Sequence, residues 1–266
     1  MARIGCCQLD PVLGDLPGNE ARISAAISDA VSAGADVVVL PELATSGYMF
    51  ADAAEARVAA LAEDSPQFAR WCALLGDSIA VLGFCELGTD GRLYNSAAVL
   101  QSGGVTSVYR KTHLWDREKL IFTSGEQLPP VLETRHGALA VMVCYDLEFA
   151  ELTRQVAVAG AEMILAPVNW PQFPRPAGEH PGEVITAMST ARLNRLAVAA
   201  CDRAGVERGQ AWTGGTVIVD PDGWIAAEAG PGVGTAVADI DLARTHDKKL
   251  TEHVDLLADR RLDLYG

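Results

Sequence analysis

Positive charge is scarce in this sequence. Lys and Arg number 21 against 35 Asp and Glu, a formal net charge of −14. That balance repels phosphate backbones and anionic lipid, which argues against nucleic acid or a membrane surface as a partner. Apolar runs of the roughly 18 residues that a bilayer span needs are missing. The opening Met1-Ala-Arg-Ile-Gly-Cys-Cys reads as a β-strand rather than a secretory signal. Low-complexity linkers and fixed-period repeats are also absent. The six cysteines (Cys6, Cys7, Cys72, Cys85, Cys144, Cys201) show no metal-ligand spacing and no disulfide framework, and a reducing cytoplasm is the expected compartment.

What the chain does have is apolar residues, 49% of its 266, enough to bury a large core. Strand-like runs lie at 2–9, 35–40, 79–86, 93–101, 105–110, 138–143, 162–166, 196–201, 215–219 and 235–240. Helical patterns fall between them. One is capped by Asn19 and stopped by Gly34, one starts at Ser65-Pro66, and two cover 148–159 and 183–194. Glycines 88, 91, 103 and 104 mark hairpins, whereas other strands need helical crossovers. Ten or more strands are too many for one comfortable open sheet. The reading is therefore an α/β fold of two mixed sheets packed face to face with helices outside.

Three chemically capable residues occupy the same kind of position. Glu42 follows the run 35–40, Lys111 follows 105–110, and Cys144 follows 138–143. Ligands of open α/β sheets gather at the carboxyl ends of strands. A cysteine at a strand-to-helix turn projects out of the sheet, and the helix N-terminus would lower its pKa. Glu42, next to a wholly apolar run, needs a partner or a raised pKa, and a Glu–Lys pair would satisfy both groups. None of the five histidines has a comparable strand-end position. His113, two residues past Lys111, is expected to point away from it.

These stretches, in order, resemble the carbon–nitrogen hydrolase (nitrilase) superfamily. The matching pieces are Leu40-Pro-Glu-Leu-Ala-Thr-Ser-Gly-Tyr48, Tyr109-Arg-Lys-Thr-His-Leu114 through Glu118, and Val143-Cys-Tyr-Asp-Leu-Glu-Phe149. Asn194-Arg195, Gly214 to Gly223 and Asp255 to Arg261 add support. One departure is Ala150, where the family usually has proline. Alanine is a good helix former and is tolerated there.

The resemblance implies a four-layer α-β-β-α sandwich over 1–266, with 245–266 a tail used in homodimer or higher contacts. It implies a catalytic triad of Glu42, Lys111 and Cys144, with Glu118 as a fourth member and the backbone of Tyr145 in the oxyanion hole. No cofactor or metal is implied. The form Cys-Tyr-Asp-Leu-Glu-Phe looks like the aliphatic amidase branch, which includes enzymes of ω-amino-alkanamides. The expected reaction converts a small amide into acid and ammonia through a cysteine thioester. Nitrile or N-carbamoyl hydrolysis is the alternative, and a non-catalytic binding protein a remote one. Tyr48, Trp115, Tyr145, Asn169 and Trp170 are candidate walls of the pocket. Asp116, Glu148 and Glu179 are candidates for holding a substrate cation, and Asp146 is expected to cap the helix after Cys144.

Overall fold

A computed structural model describes residues 1–265 and holds two six-stranded mixed sheets among them. The strands of the first sheet are β1 (Ala2–Gln8), β2 (Val37–Val39), β3 (Ile79–Leu87), β4 (Leu93–Gln101) and β5 (Gly104–Arg110). The second has β6 (Val131–Thr134), β7 (Gly137–Val141), β8 (Met163–Pro167), β9 (Ala197–Cys201), β10 (Val217–Val219) and β11 (Ile225–Glu228). The sixth strand of the first sheet, β12 (Gly234–Ile240), comes from late in the chain and pairs antiparallel with β1. The orders are β12-β1-β2-β3-β4-β5 and β11-β10-β9-β8-β7-β6. Each sheet has three parallel strands at its centre and antiparallel strands outside.

Strand alternation builds the layers. Ile4, Cys6, Val37 and Val39 point into the core shared with the second sheet. Cys7 and Val38, one residue out of step, pack under the helices α1 (Leu16–Ser32) and, past the short α2 (Ala53–Val58), α3 (Pro66–Cys72). Central strands buried on both faces must be apolar throughout, and the run Val37-Val-Val39 is. The helices α4 (Ala150–Val158) and α5 (Gly182–Asn194) cover the second sheet, so the layers run α-β-β-α. A short α6 (Leu262–Tyr265) ends the described chain.

Several boundaries differ from the sequence reading. Helix α1 begins at Leu16, three residues before Asn19, because Asp15 accepts from the Gly18 N–H at 3.0 Å and Pro17 lies in the first turn. Asn19 is instead fully buried and ties Val12 to the carbonyl of Thr45. The segment after Cys144 opens as a 3₁₀ turn, Cys144–Glu148, and the α-helix starts only at Ala150. Strands β6 and β11 and helix α2 escaped the sequence reading; they are short, and the two strands keep half-exposed faces at sheet edges. Among the described residues no helix is long and apolar enough to cross a membrane, and all six cysteines are free.

Candidate active site

Glu42, Lys111 and Cys144 sit just past the carboxyl ends of β2, β5 and β7. The segment Pro41-Glu42-Leu43 lies directly on β3 where that strand has Gly83. A Cβ there would sit 2.5 Å from the Glu42 Cα, so a side chain at this position would displace the glutamate. The Glu42 N–H reaches across to the Val168 carbonyl beside β8, which links the two sheets at the site. Lys111 is set by its backbone N–H on the Asn95 carbonyl of β4 at 2.9 Å.

Lys111 and Glu42 are completely buried, and Glu118 nearly so. The lysine Nζ donates to Glu42 Oε1 at 2.7 Å and to Glu118 Oε1 at 2.8 Å. Asn95 Nδ2 donates to the same two oxygens at 2.7 and 3.2 Å. Glu118 also accepts from the Tyr48 hydroxyl at 2.6 Å and the Trp115 N–H at 2.9 Å, so both its oxygens are engaged. Glu42 Oε2 is buried and has no hydrogen-bond partner. Two carboxylates thus share one ammonium. Burial, opposed by the charge of Lys111 and reinforced by that of Glu118, raises the Glu42 carboxyl to about 7. Burial alone would lower the Lys111 ammonium, but Glu118 and Glu42 hold it well above its ordinary value. The arrangement keeps the lysine charged and leaves one free carboxylate oxygen able to take and return a proton near neutral pH.

Cys144 has φ of +46°, a left-handed conformation uncommon for a side-chain-bearing residue. It opens the 3₁₀ turn, whose first N–H groups, that of Tyr145 among them, have no acceptor inside the turn. Sγ faces the Asn169 carbonyl at 3.7 Å. The thiol is held well above its ordinary pKa, first by burial and then by the charge of Glu42, against the pull of Lys111. This reverses the expectation of a thiol acidified by a helix N-terminus. A one-turn 3₁₀ segment offers little field, and desolvation beside carboxylates outweighs it. The resting thiol is therefore protonated and needs a base.

Asp146 does more than the expected capping. Its carboxylate accepts from the Val143 N–H at 3.1 Å, which closes the turn around Cys144. It also accepts from the Tyr109 hydroxyl at 2.9 Å, the Thr112 hydroxyl at 2.9 Å and the His113 N–H at 3.0 Å. His113 faces Asp146 through Nδ1 at 2.8 Å and stacks on Phe149. One buried carboxylate therefore fixes the loop carrying Lys111 to the turn carrying Cys144. Asp146→Ala leaves several buried donors without an acceptor and is expected to cost about 2–4 kcal/mol of stability. Thermal melting and kcat/KM should fall together; a variant that melts and turns over like the parent would show that the staple is dispensable.

A pocket of about 430 Å³ opens over Cys144. Trp115, Tyr145, Asn169 and Trp170 line it, whereas Tyr48 stands behind Glu118 and is not among the lining residues. Glu148 lines the pocket, and Glu179 lies in a neighbouring groove instead. Asp116, with φ of +39°, starts the 3₁₀ turn that carries Glu118 and does not line the pocket. The structure adds residues that the sequence reading passed over. Asn95 stands between the two glutamates. Glu207 accepts from the backbone N–H groups of Tyr48 and Met49 at 2.8 and 2.6 Å and is itself held by the buried Arg203 at 2.7 Å. Asp202 accepts from the Trp170 N–H at 2.9 Å; burial pushes its carboxyl up to about 7, against the pull of three backbone N–H groups. Glu183 joins Glu148 at the pocket. Asp202, Arg203 and Glu207 follow the apolar run 196–201 as Glu42 follows 35–40. The same strand-end signal could have found them.

The model of the carbon–nitrogen hydrolase family matches residues 3–249. A nitrilase of Pyrococcus abyssi is 32% identical over 100% of this chain and 99% of its own. An (R)-stereoselective amidase of a Pseudomonas species is 33% identical over 95% of this chain and 89% of its own. Among solved structures, a Glu-to-Gln mutant of the amidase from Nesterenkonia sp. AN1 superposes with a TM-score of 0.83 at 27% identity, covering 100% of this chain and 98% of that one. That structure shows the Michael addition of acrylamide at the active-site cysteine. A match over nearly the whole chain, the shared sandwich and the cysteine site make this protein a member of the carbon–nitrogen hydrolase family, an enzyme of the amidase kind.

Proposed function

We propose that the enzyme hydrolyses a small aliphatic primary amide to the carboxylic acid and ammonia through a thioester on Cys144, with ω-amino- and ω-guanidino-alkanamides among its substrates. The observation that carries this reading is the buried Glu42-Lys111-Glu118 cluster, with its one free carboxylate oxygen, beside a protonated thiol. Glu42 takes the thiol proton, and sulfur attacks the carbonyl carbon. The oxyanion is stabilised by the Lys111 ammonium and the Tyr145 N–H. As the C–N bond breaks, Glu42 returns its proton to the nitrogen, and ammonia leaves. Water then gives a proton to Glu42 and attacks the thioester; the C–S bond breaks, and the departing thiolate recovers the proton. Glu118, its oxygens engaged by Lys111, Asn95, Tyr48 and Trp115, positions the lysine throughout. Every group this sequence needs comes from the chain itself.

The cysteine adduct of the Nesterenkonia amidase with acrylamide, a small primary amide, supports the assignment of Cys144. Ammonia release from a panel of aliphatic amides, the matching nitriles and N-carbamoyl amines tests it. Primary amides should be turned over fastest. Release from nitriles or carbamoyl compounds with inert amides would move the reading to those classes, and release from none would end it.

We also propose a homodimer as the smallest assembly, with 245–266 contributing contacts. Val254, Leu262 and Leu264 of this tail are 41%, 53% and 70% exposed, and apolar side chains on a terminal segment gain most when a second copy covers them. Light scattering at micromolar concentration should give twice the chain mass, and a monomer would refute the proposal.

A further inference from the structure

The pocket over Cys144 has two chemically distinct ends. At the thiol end stands Asn169, 1% exposed, whose carbonyl faces Sγ. Its side-chain Oδ1 and Nδ2 are both buried without a hydrogen-bond partner. A buried amide left unsatisfied costs about 1–3 kcal/mol, which a polar ligand would relieve. The walls are aromatic: Trp115 packs edge-on against Tyr145 at 4.9 Å, and Trp170 and Phe173 line the same space. The remaining charged side chains of the lining are Glu148, on the turn that starts at Cys144, and Glu183, in the first turn of α5. Among the described residues, no Lys, Arg or His lines the pocket.

Two carboxylates approach each other here, and among the described residues no cation of the pocket lining neutralises them. Burial, and after it the charge of Glu183, push the Glu148 carboxyl above its ordinary value. Thr186 reaches Glu148 Oε2 only at 3.4 Å, a weak contact that leaves the charge largely unanswered. Neither acid is needed by the chemistry at Cys144. We propose that Glu148 and Glu183 form a subsite for the positively charged far end of a linear amide, an ammonium or guanidinium, while Asn169 holds a polar group near the reacting carbonyl.

This assignment rests on the amidase reading and specifies its substrate class. A carboxylate pair attracts a cation and repels an anion, so it discriminates in both directions. The aromatic walls suit a methylene spacer and add cation–π attraction to a charged tail. A guanidinium gains further from the fork geometry that matches a carboxylate. Substrates with a terminal carboxylate are disfavoured by the same two acids, and the net charge of −14 slows their approach.

The test is kcat/KM for three amides of one length: 5-aminopentanamide, pentanamide and the half-amide of glutaric acid. They are measured on the whole enzyme and on Glu148→Gln, Glu183→Gln and the double variant. Selectivity is read as a ratio within each protein, so a general loss from poorer folding cancels. The parent should prefer cation over neutral over anion. The cation-to-neutral ratio should drop by about tenfold in the double variant, as expected for two solvent-screened pairs, and the drop should be smaller at high salt. Glu183→Lys should turn the preference toward the half-amide. A parent ratio near one, or a ratio unchanged in the double variant, overturns the subsite while pentanamide turnover still stands. Hydrolysis of none of the three overturns the amidase reading itself.

Discussion

Cys144→Ala is expected to remove amide turnover while leaving the fold in place. In the proposed reaction the thiol makes the first attack, and it stands beside Glu42 and the Lys111 ammonium. Loss of a nucleophile from a unit that acts together removes rate on the order of 10⁶. The structural cost is small. Alanine keeps the Cβ that the left-handed backbone at +46° already accommodates, and losing one sulfur atom costs about 1 kcal/mol or less. Cys144→Ser should be almost as inactive, because a hydroxyl is a far weaker acid for Glu42 to deprotonate. Ammonia release and thermal melting measured on the same preparations separate chemistry from folding. An alanine variant with parental activity would remove Cys144 from the mechanism.

Lys111→Ala should also be strongly damaging, though less so than loss of the thiol, for two reasons that a pH profile separates. In the proposed reaction the ammonium is an oxyanion donor, and such a donor lowers the barrier by about 2.7–4 kcal/mol, or 10²–10³ in kcat. It also holds Glu42 ionised. The ascending limb of kcat/KM should lie near pH 7 in the parent, where the buried carboxyl titrates. Removing Lys111 removes the main influence that lowers Glu42, so the limb should move upward. Glu42, Lys111, Glu118 and Cys144 interact closely, and the limb reports the cluster. Stability follows the same sign. A folded-state value of about 7 lies above the ordinary 4.5, so the stabilising contribution of this group is fully present below 4.5 and is lost as pH rises through 7. The variant also leaves two buried carboxylates facing each other, a loss of about 3–5 kcal/mol. Lys111→Gln keeps two N–H donors on a side chain one atom shorter but no charge, and it should not restore the rate. A loss of less than about tenfold in kcat would place Lys111 outside the reaction.

The meeting of Glu42, Lys111 and Cys144 in one candidate site was legible because each is a polar residue at the end of an apolar strand-like run. Glu42 after Val37-Val-Val39 is the clearest, since no solvated position is available there. Layering was legible from the strand count: the ten runs with hairpin and crossover signals already exceed one comfortable sheet, and the structure adds two short edge strands to make two sheets of six. Asn95 was legible in principle, as an amide within the buried run Leu93 to Leu100, but reads locally like any strand polar residue. Glu183 gave no signal. It lies in the first turn of a helix, where acids are common, and only the packing of α5 beside the Cys144 turn brings it to Glu148. The start of α1 was misplaced because Asn19 is a good cap by residue type, while Asp15 followed by Pro17 is a better one. The weak acidity of the thiol is not legible because sequence shows the turn after Cys144 but neither the depth of its burial nor the carboxylate of Glu42 packed beside it.

The central claim is that the acyl group passes through a thioester on Cys144. Rapid-quench mass spectrometry of the parent enzyme during turnover of a short primary amide tests it most directly. The account predicts a mass increase equal to the acyl group less one hydrogen, on the peptide that contains Cys144, rising at the rate of the ammonia burst and falling as acid appears. Steady release of ammonia and acid with that peptide unmodified, or with the acyl group on another residue, would contradict it.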